Sequence, residues 1–169
     1  MKNACFITTL ILGLSYFAFA QRTPTFDRYG AKVERVGKIR VDLKSNRDAR
    51  LFRTNLRNAA KAGVNFAGRY VLATWGCGTN CSQSAIIDAR NGRVFFPNEL
   101  AGAGFGFCDL PADIEPLVYK RNSRLLVLNG FKGGDLGREN GKCGIYYLEW
   151  TGTRFRQVKL VQKTRTDTP

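Results

Sequence analysis

Two stretches of the chain, residues 70–75 and 124–129, are apolar at nearly every position, and the pattern elsewhere is organised around them. Being apolar on both parities, they read as central strands covered on both faces. Each leads into a loop holding a cysteine (Cys81, Cys143), then a second strand, a tight glycine turn (Gly92, Gly152) and a third strand. Asn91-Gly92 suits the positive φ of a hairpin turn. Residues 31–43 carry Val33, Val36, Ile39, Val41 and Leu43 between charges, with Gly37 shifting the phase, and read as one bulged strand or two short ones. With a further strand over 114–119, the pattern predicts two antiparallel four-stranded meanders related as a pseudo-repeat. Two such units cannot close a propeller, so they pack as a sandwich or an open barrel.

A single helix is predicted over residues 45–63. Ser45 followed by Asp48 matches a capping box, Gly63 supplies the left-handed stop, and Ala49, Phe52, Leu56, Ala59 and Ala60 recur on one face. The fold class is therefore α+β, mainly β, with one amphipathic helix. Beside the apolar face, Arg50, Arg53, Arg57 and Lys61 fall at offsets of three and four and form a candidate anion-binding stripe, or else a solvated helix flank. The glycine-rich stretch 98–113 reads as a long loop, with Phe105 and Phe107 as adaptable contacts for a ligand or, the favoured alternative, a plug for the end of the core.

Composition narrows this picture. Residues 1–20 have a positive start at Lys2, an apolar run and a small-x-small site before Gln21, the pattern of a signal peptide cleaved near Ala20-Gln21. The run is short of the ~20 residues of a membrane span. The remainder divides into a single β-rich domain over 21–161 and a polar tail over 162–169, placed in the periplasm or secreted. Removing the leader removes Cys5 and leaves Cys77, Cys81, Cys108 and Cys143. In an oxidising compartment four cysteines make two disulfides, with about three pairings possible; Cys77–Cys81 with Cys108–Cys143 is the favoured one. Lys and Arg total 27 against 13 Asp and Glu, a net charge of +14. Such a balance attracts polyanions or an acidic protein.

Three motifs carry a family resemblance: Asn65-Phe66-Ala67-Gly68-Arg69-Tyr70, Trp75-Gly76-Cys77-Gly78-Thr79-Asn80-Cys81 and Ile87-Asp88-Ala89-Arg90-Asn91-Gly92. They resemble the NFAGxY…WGCGTxC…IDxxxG pattern of a group of small secreted bacterial proteins of unknown function. The resemblance implies secretion and a small single domain, and it brings no activity with it. Relatives often carry His where this chain has Arg69, so an imidazole-dependent role at that position is excluded here.

The chain contains no histidine at all. Ser–His and Cys–His nucleophilic pairs, His-ligated zinc and imidazole acid–base catalysis are excluded together. No cofactor or metal is called for by any motif. Arg69, Trp75, Asp88 and the loop carboxylates Asp109, Asp113 and Glu115 are candidate cleft residues, provided the fold brings them together. The leading reading is an exported, non-enzymatic, disulfide-stabilised binding domain that contacts an anionic partner. The alternatives are an envelope enzyme, either a carboxylate-dependent hydrolase or a thiol–disulfide protein using Cys77 and Cys81, and an inhibitor or immunity-like protein.

Overall fold

The computed structural model describes residues 22–166. The expected signal peptide, its cleavage site and Cys5 lie outside the described residues, as do the last three residues of the tail. The chain folds as mainly β with one helix: α1 (Arg53–Ala62) and eight strands, β1 (Tyr70–Gly78), β2 (Cys81–Asp88), β3 (Val94–Phe95), β4 (Ala101–Gly104), β5 (Leu117–Tyr119), β6 (Leu125–Phe131), β7 (Cys143–Trp150) and β8 (Phe155–Gln162). All belong to one antiparallel sheet ordered β1-β2-β4-β6-β7-β8, with β3 and β5 each sharing an edge of β2 and β6.

The second meander forms in full, β5 on β6, β6 on β7 and β7 on β8. In the first, β1, β2 and β3 form, but its expected opening strand over 38–43 does not. The free edge of β1 is already occupied there. The Asn65 carboxamide accepts from Leu72 N at 2.7 Å and donates to Leu72 O at 3.0 Å, taking both bonds a neighbouring strand would make. Ile39, Val41 and Leu43 instead pack sideways on the cluster beneath α1. The short β4, of alanine and glycine, joins the two meanders, pairing with β2 at Cys81–Gln83 and with β6 at Gly104↔Phe131.

The sheet curls so that its two ends meet through their inner faces, as in the expected sandwich or open barrel. Tyr70 on β1 lies edge-on to Trp150 on β7, 5.6 Å between ring centres, and Phe66 meets Phe155 at 6.3 Å. Leu72, Ile86, Leu126, Leu128, Tyr146 and Leu148 fill the rest of this inner core. Burying each such side chain contributes about 1.5–3 kcal/mol. The outer face of β1 and β2 presents Val71, Ala73, Ala85 and Ile87 to Ala49, Leu56 and Ala60 of the helical region.

The helix is shorter than its periodicity predicts, beginning at Arg53 rather than near Ser45. The Ser45 hydroxyl, expected to cap it, donates to Asp42 O at 2.6 Å and accepts from Val94 N at 2.9 Å. Asn46 closes a local turn by accepting from Asp48 N. Both side chains bond elsewhere, so residues 45–52 run as turns. The described part of the polar tail, up to Thr166, is held by backbone contacts. Lys163 N donates to Cys143 O, Arg165 bridges Cys108, and Thr166 N donates to Phe107 O. That contact leaves Phe107 46% exposed instead of plugging the core, while Phe105 does pack against it.

Both disulfides form in the favoured pairing, Cys77–Cys81 across the tip of the β1–β2 hairpin and Cys108–Cys143 between the long loop and β7. No helix among the described residues is long and apolar enough to cross a membrane.

Candidate functional site

The three sequence motifs build a junction. Gly68 turns the chain between Phe66, which is fully buried, and Tyr70, so that Arg69 leaves the sheet beside Asp88. Asp88 pairs directly with Tyr70 in the β1–β2 register and is almost fully buried. Its carboxylate accepts from Arg69 Nε at 3.3 Å and from Arg90 N at 3.0 Å. Arg69 also donates to the Tyr70 hydroxyl at 2.9 Å. Glu34, from the strand-free leader, receives a two-pronged contact from Arg90 at 2.6 and 2.8 Å and lies 3.9 Å from Arg69. The hydrogen bond to Glu34, then its charge, holds the Arg90 guanidinium above its ordinary value. Every member has a partner, so the cluster works as a clamp tying the leader to the β1–β2 hairpin.

What the clamp holds in place is a groove. Immediately after Glu34, residues 35–41 run past the C-terminal half of α1 and enclose about 1000 Å³. Six cationic residues line it: Arg35, Lys38 and Arg40 from the 35–41 segment, which bends at Lys38; Arg57 and Lys61 from α1; and Arg121 from the β5–β6 turn. The lining contains no carboxylate and no aromatic ring; the remaining side chains are aliphatic, including Val36, Ile39, Val41, Ala60 and Val64. The ion pairs found elsewhere use Arg69, Arg90, Arg124 and Arg156. Among the described residues none of the six groove cations has a carboxylate partner, and Lys61 donates only to the Asn58 carboxamide. Like charges gathered without counter-charge focus a positive potential into the cleft and concentrate anions there.

The local reasons for this arrangement are simple. Arg57 and Lys61 stand one turn apart on α1, on one side of Ala60, which faces the core. From Lys38 to Val41 the side chains alternate: Lys38 and Arg40 are exposed, while Ile39 and Val41 are half-buried against the helix cluster. The segment's ends are fixed by Glu34 N to Gly68 O at 2.9 Å and Asp42 N to Gly92 O at 2.8 Å.

The other predicted residues have separate places. Of the proposed helix stripe, Arg57 and Lys61 reach the groove; Arg53 donates back to Arg50 O, and Arg50 precedes the helix. Of the proposed cleft, Arg69 and Asp88 meet. Trp75 lies on the opposite face of β1, 4.9 Å from Phe52, as part of the packing under α1. Asp109 lines a shallow groove beside Lys163 and Arg165, Asp113 is exposed, and Glu115 offers its backbone carbonyl to Asn129. No hydrogen bond or ion pair among the described residues joins these three carboxylates to the Arg69–Asp88 pair. Nor do any three Cys, Asp or Glu side chains there gather as metal ligands.

Arg35, Lys38, Arg40 and Arg121 escape a reading of the sequence because the groove is assembled from three separated segments. The one available signal is the alternation over 38–41, which sets two cations opposite two aliphatic residues. Comparison with family models, curated proteins and solved structures finds no match to this chain.

Proposed function

We propose that this chain is an exported, non-enzymatic binding domain whose ligand is an anion held in the groove between residues 35–41 and α1. The observation that carries the reading is the lining itself, with six cations, no carboxylate and no ion pair among the described residues. Six cations are gathered there around one concave space, whereas Arg90, Arg124 and Arg156 are each neutralised by Glu34 or Glu149. Two disulfides and a chain of net charge +14 fit an exported protein that meets polyanions. The resemblance to small secreted proteins with NFAGxY, WGCGTxC and IDxxxG motifs fits as well. In this reading those motifs serve the scaffold, through Asn65 on the β1 edge, the disulfide-pinned hairpin and the Asp88 clamp.

Binding of this kind weakens with salt, because the groove is open and the screening length shrinks to ~8 Å at physiological ionic strength. Retention on an immobilised sulfated polysaccharide at low salt, with release on a salt gradient, is the expected behaviour. Elution with a neutral control protein would remove the anionic ligand from the account.

A further inference from the structure

The backbone along the groove has a property that a simple charge site does not require. Between the two anchoring hydrogen bonds, residues 35–41 contain no proline and belong to no strand or helix. None of their N–H or C=O groups makes a backbone hydrogen bond to another described residue, and apart from the Arg40 carbonyl, which packs on Gly92, they stay available to a partner. Backbone left unpaired along a cleft is a template for an added strand. Here it runs beside a cationic rim, above half-buried aliphatic side chains set at alternating positions.

We propose that the groove takes an extended acidic segment of a partner protein, which adds to residues 35–41 through main-chain hydrogen bonds. This rests on the reading of the groove as an anion site and specifies its occupant. Along an extended peptide, successive side chains point to opposite sides. Asp or Glu at every second position meets Lys38 and Arg40, and the small aliphatic residues between them lie on the side of Ile39 and Val41, while Arg57 and Lys61 add to the positive potential of the groove. Two other classes of anion fit less well. Single-stranded nucleic acid is held by bases stacked on aromatic rings, and the groove has none. A bilayer offers a broad surface, whereas these cations are spread over the helix, the 35–41 segment and the β5–β6 turn, around a concave space.

The test uses the disulfide-intact protein and five probes followed by calorimetry at low salt: a short peptide alternating Glu and Val, the same peptide N-methylated at alternate amides, a sulfated polysaccharide, single-stranded DNA and anionic vesicles. N-methylation leaves the charge unchanged and removes the donors that a paired strand needs. The expected result is binding of the plain peptide, weakened at least about tenfold by N-methylation. Equal affinity for the two peptides would overturn strand addition while leaving the anion groove standing. Failure of all five probes would overturn the groove as well. Tighter binding to single-stranded DNA or to anionic vesicles than to the plain peptide would give the groove to another class of partner. Because the protein itself is unaltered, loss of folding cannot imitate any of these results.

Discussion

Gly92 shows how one residue can shape the groove. Its φ is +77°, and a Cβ there would come within 1.9 Å of Arg40 O and 2.9 Å of Asp42 N. Gly92 thus lets the groove wall lie directly on the hairpin turn. Gly92→Ala combines backbone strain with displacement of the 40–42 backbone, at a cost of about 1–3 kcal/mol. Chemical denaturation gives the stability, and the same variant should bind anions more weakly because Arg40 moves. Tyr146, in the inner core, provides a pH signature. Burial, followed by the nearby Asp135 charge, pushes its phenol from the ordinary 10.0 up to about 12. The unfolded chain therefore releases this proton before the folded one does. The associated stability is complete below pH 10 and is lost as pH rises through about 12. Tyr146 should ionise above the ordinary phenol range, as followed by phenolate absorbance. In Tyr146→Phe, this part of the alkaline loss of stability should disappear.

At the scale of elements, the two disulfides contribute differently. The bridge from Cys108 to Cys143 closes a separation of 35 residues, that from Cys77 to Cys81 only four. The chain-entropy argument gives about 4 kcal/mol for the longer loop and about 2 kcal/mol for the shorter. Replacing each pair by serine and measuring the denaturation midpoint should reproduce that order. Mild reductant should open Cys77–Cys81 first, because Cys77 is exposed and Cys143 is only 1% accessible. Asn65→Ala removes both bonds that the carboxamide makes to Leu72, at about 1–3 kcal/mol. Faster amide exchange at Leu72 would show that the carboxamide protects this edge.

The same elements show which parts of the structure were legible in the sequence. The both-faces-apolar strands, the Asn-Gly turn and the Cys77–Cys81 bridge were readable because each is governed by neighbours along the chain, and Cys108–Cys143 then followed as the pair that remained. The start of α1 was not, since the Ser45 hydroxyl bonds Val94 N, far away in sequence. The missing strand over 38–43 has a similar cause, a side chain on the β1 edge that no periodicity reports. Half of the proposed basic stripe reaches the groove, and the other groove cations come from segments that meet only in the folded chain. Trp75 and Asp88 belong to motifs that looked like a single signature, yet the period-2 alternation of strands puts them on opposite faces of the sheet.

For the whole molecule, a large net positive charge and a localised cationic groove predict different responses to mutation. Net charge acts over the entire surface and is insensitive to which arginines are lost. A groove depends on the six side chains that line it. Arg40→Glu with Lys61→Glu changes two of these; Arg22→Glu with Arg154→Glu changes the net charge equally at exposed positions outside the groove. Because all four side chains are exposed, surface substitutions of this kind leave stability nearly unaltered. The direct measurement is the affinity of both double variants and the parent for one sulfated polysaccharide at the same low ionic strength. The groove predicts that the Arg40/Lys61 variant loses binding by at least about tenfold while the Arg22/Arg154 variant stays close to the parent. Equal losses in the two variants would contradict it.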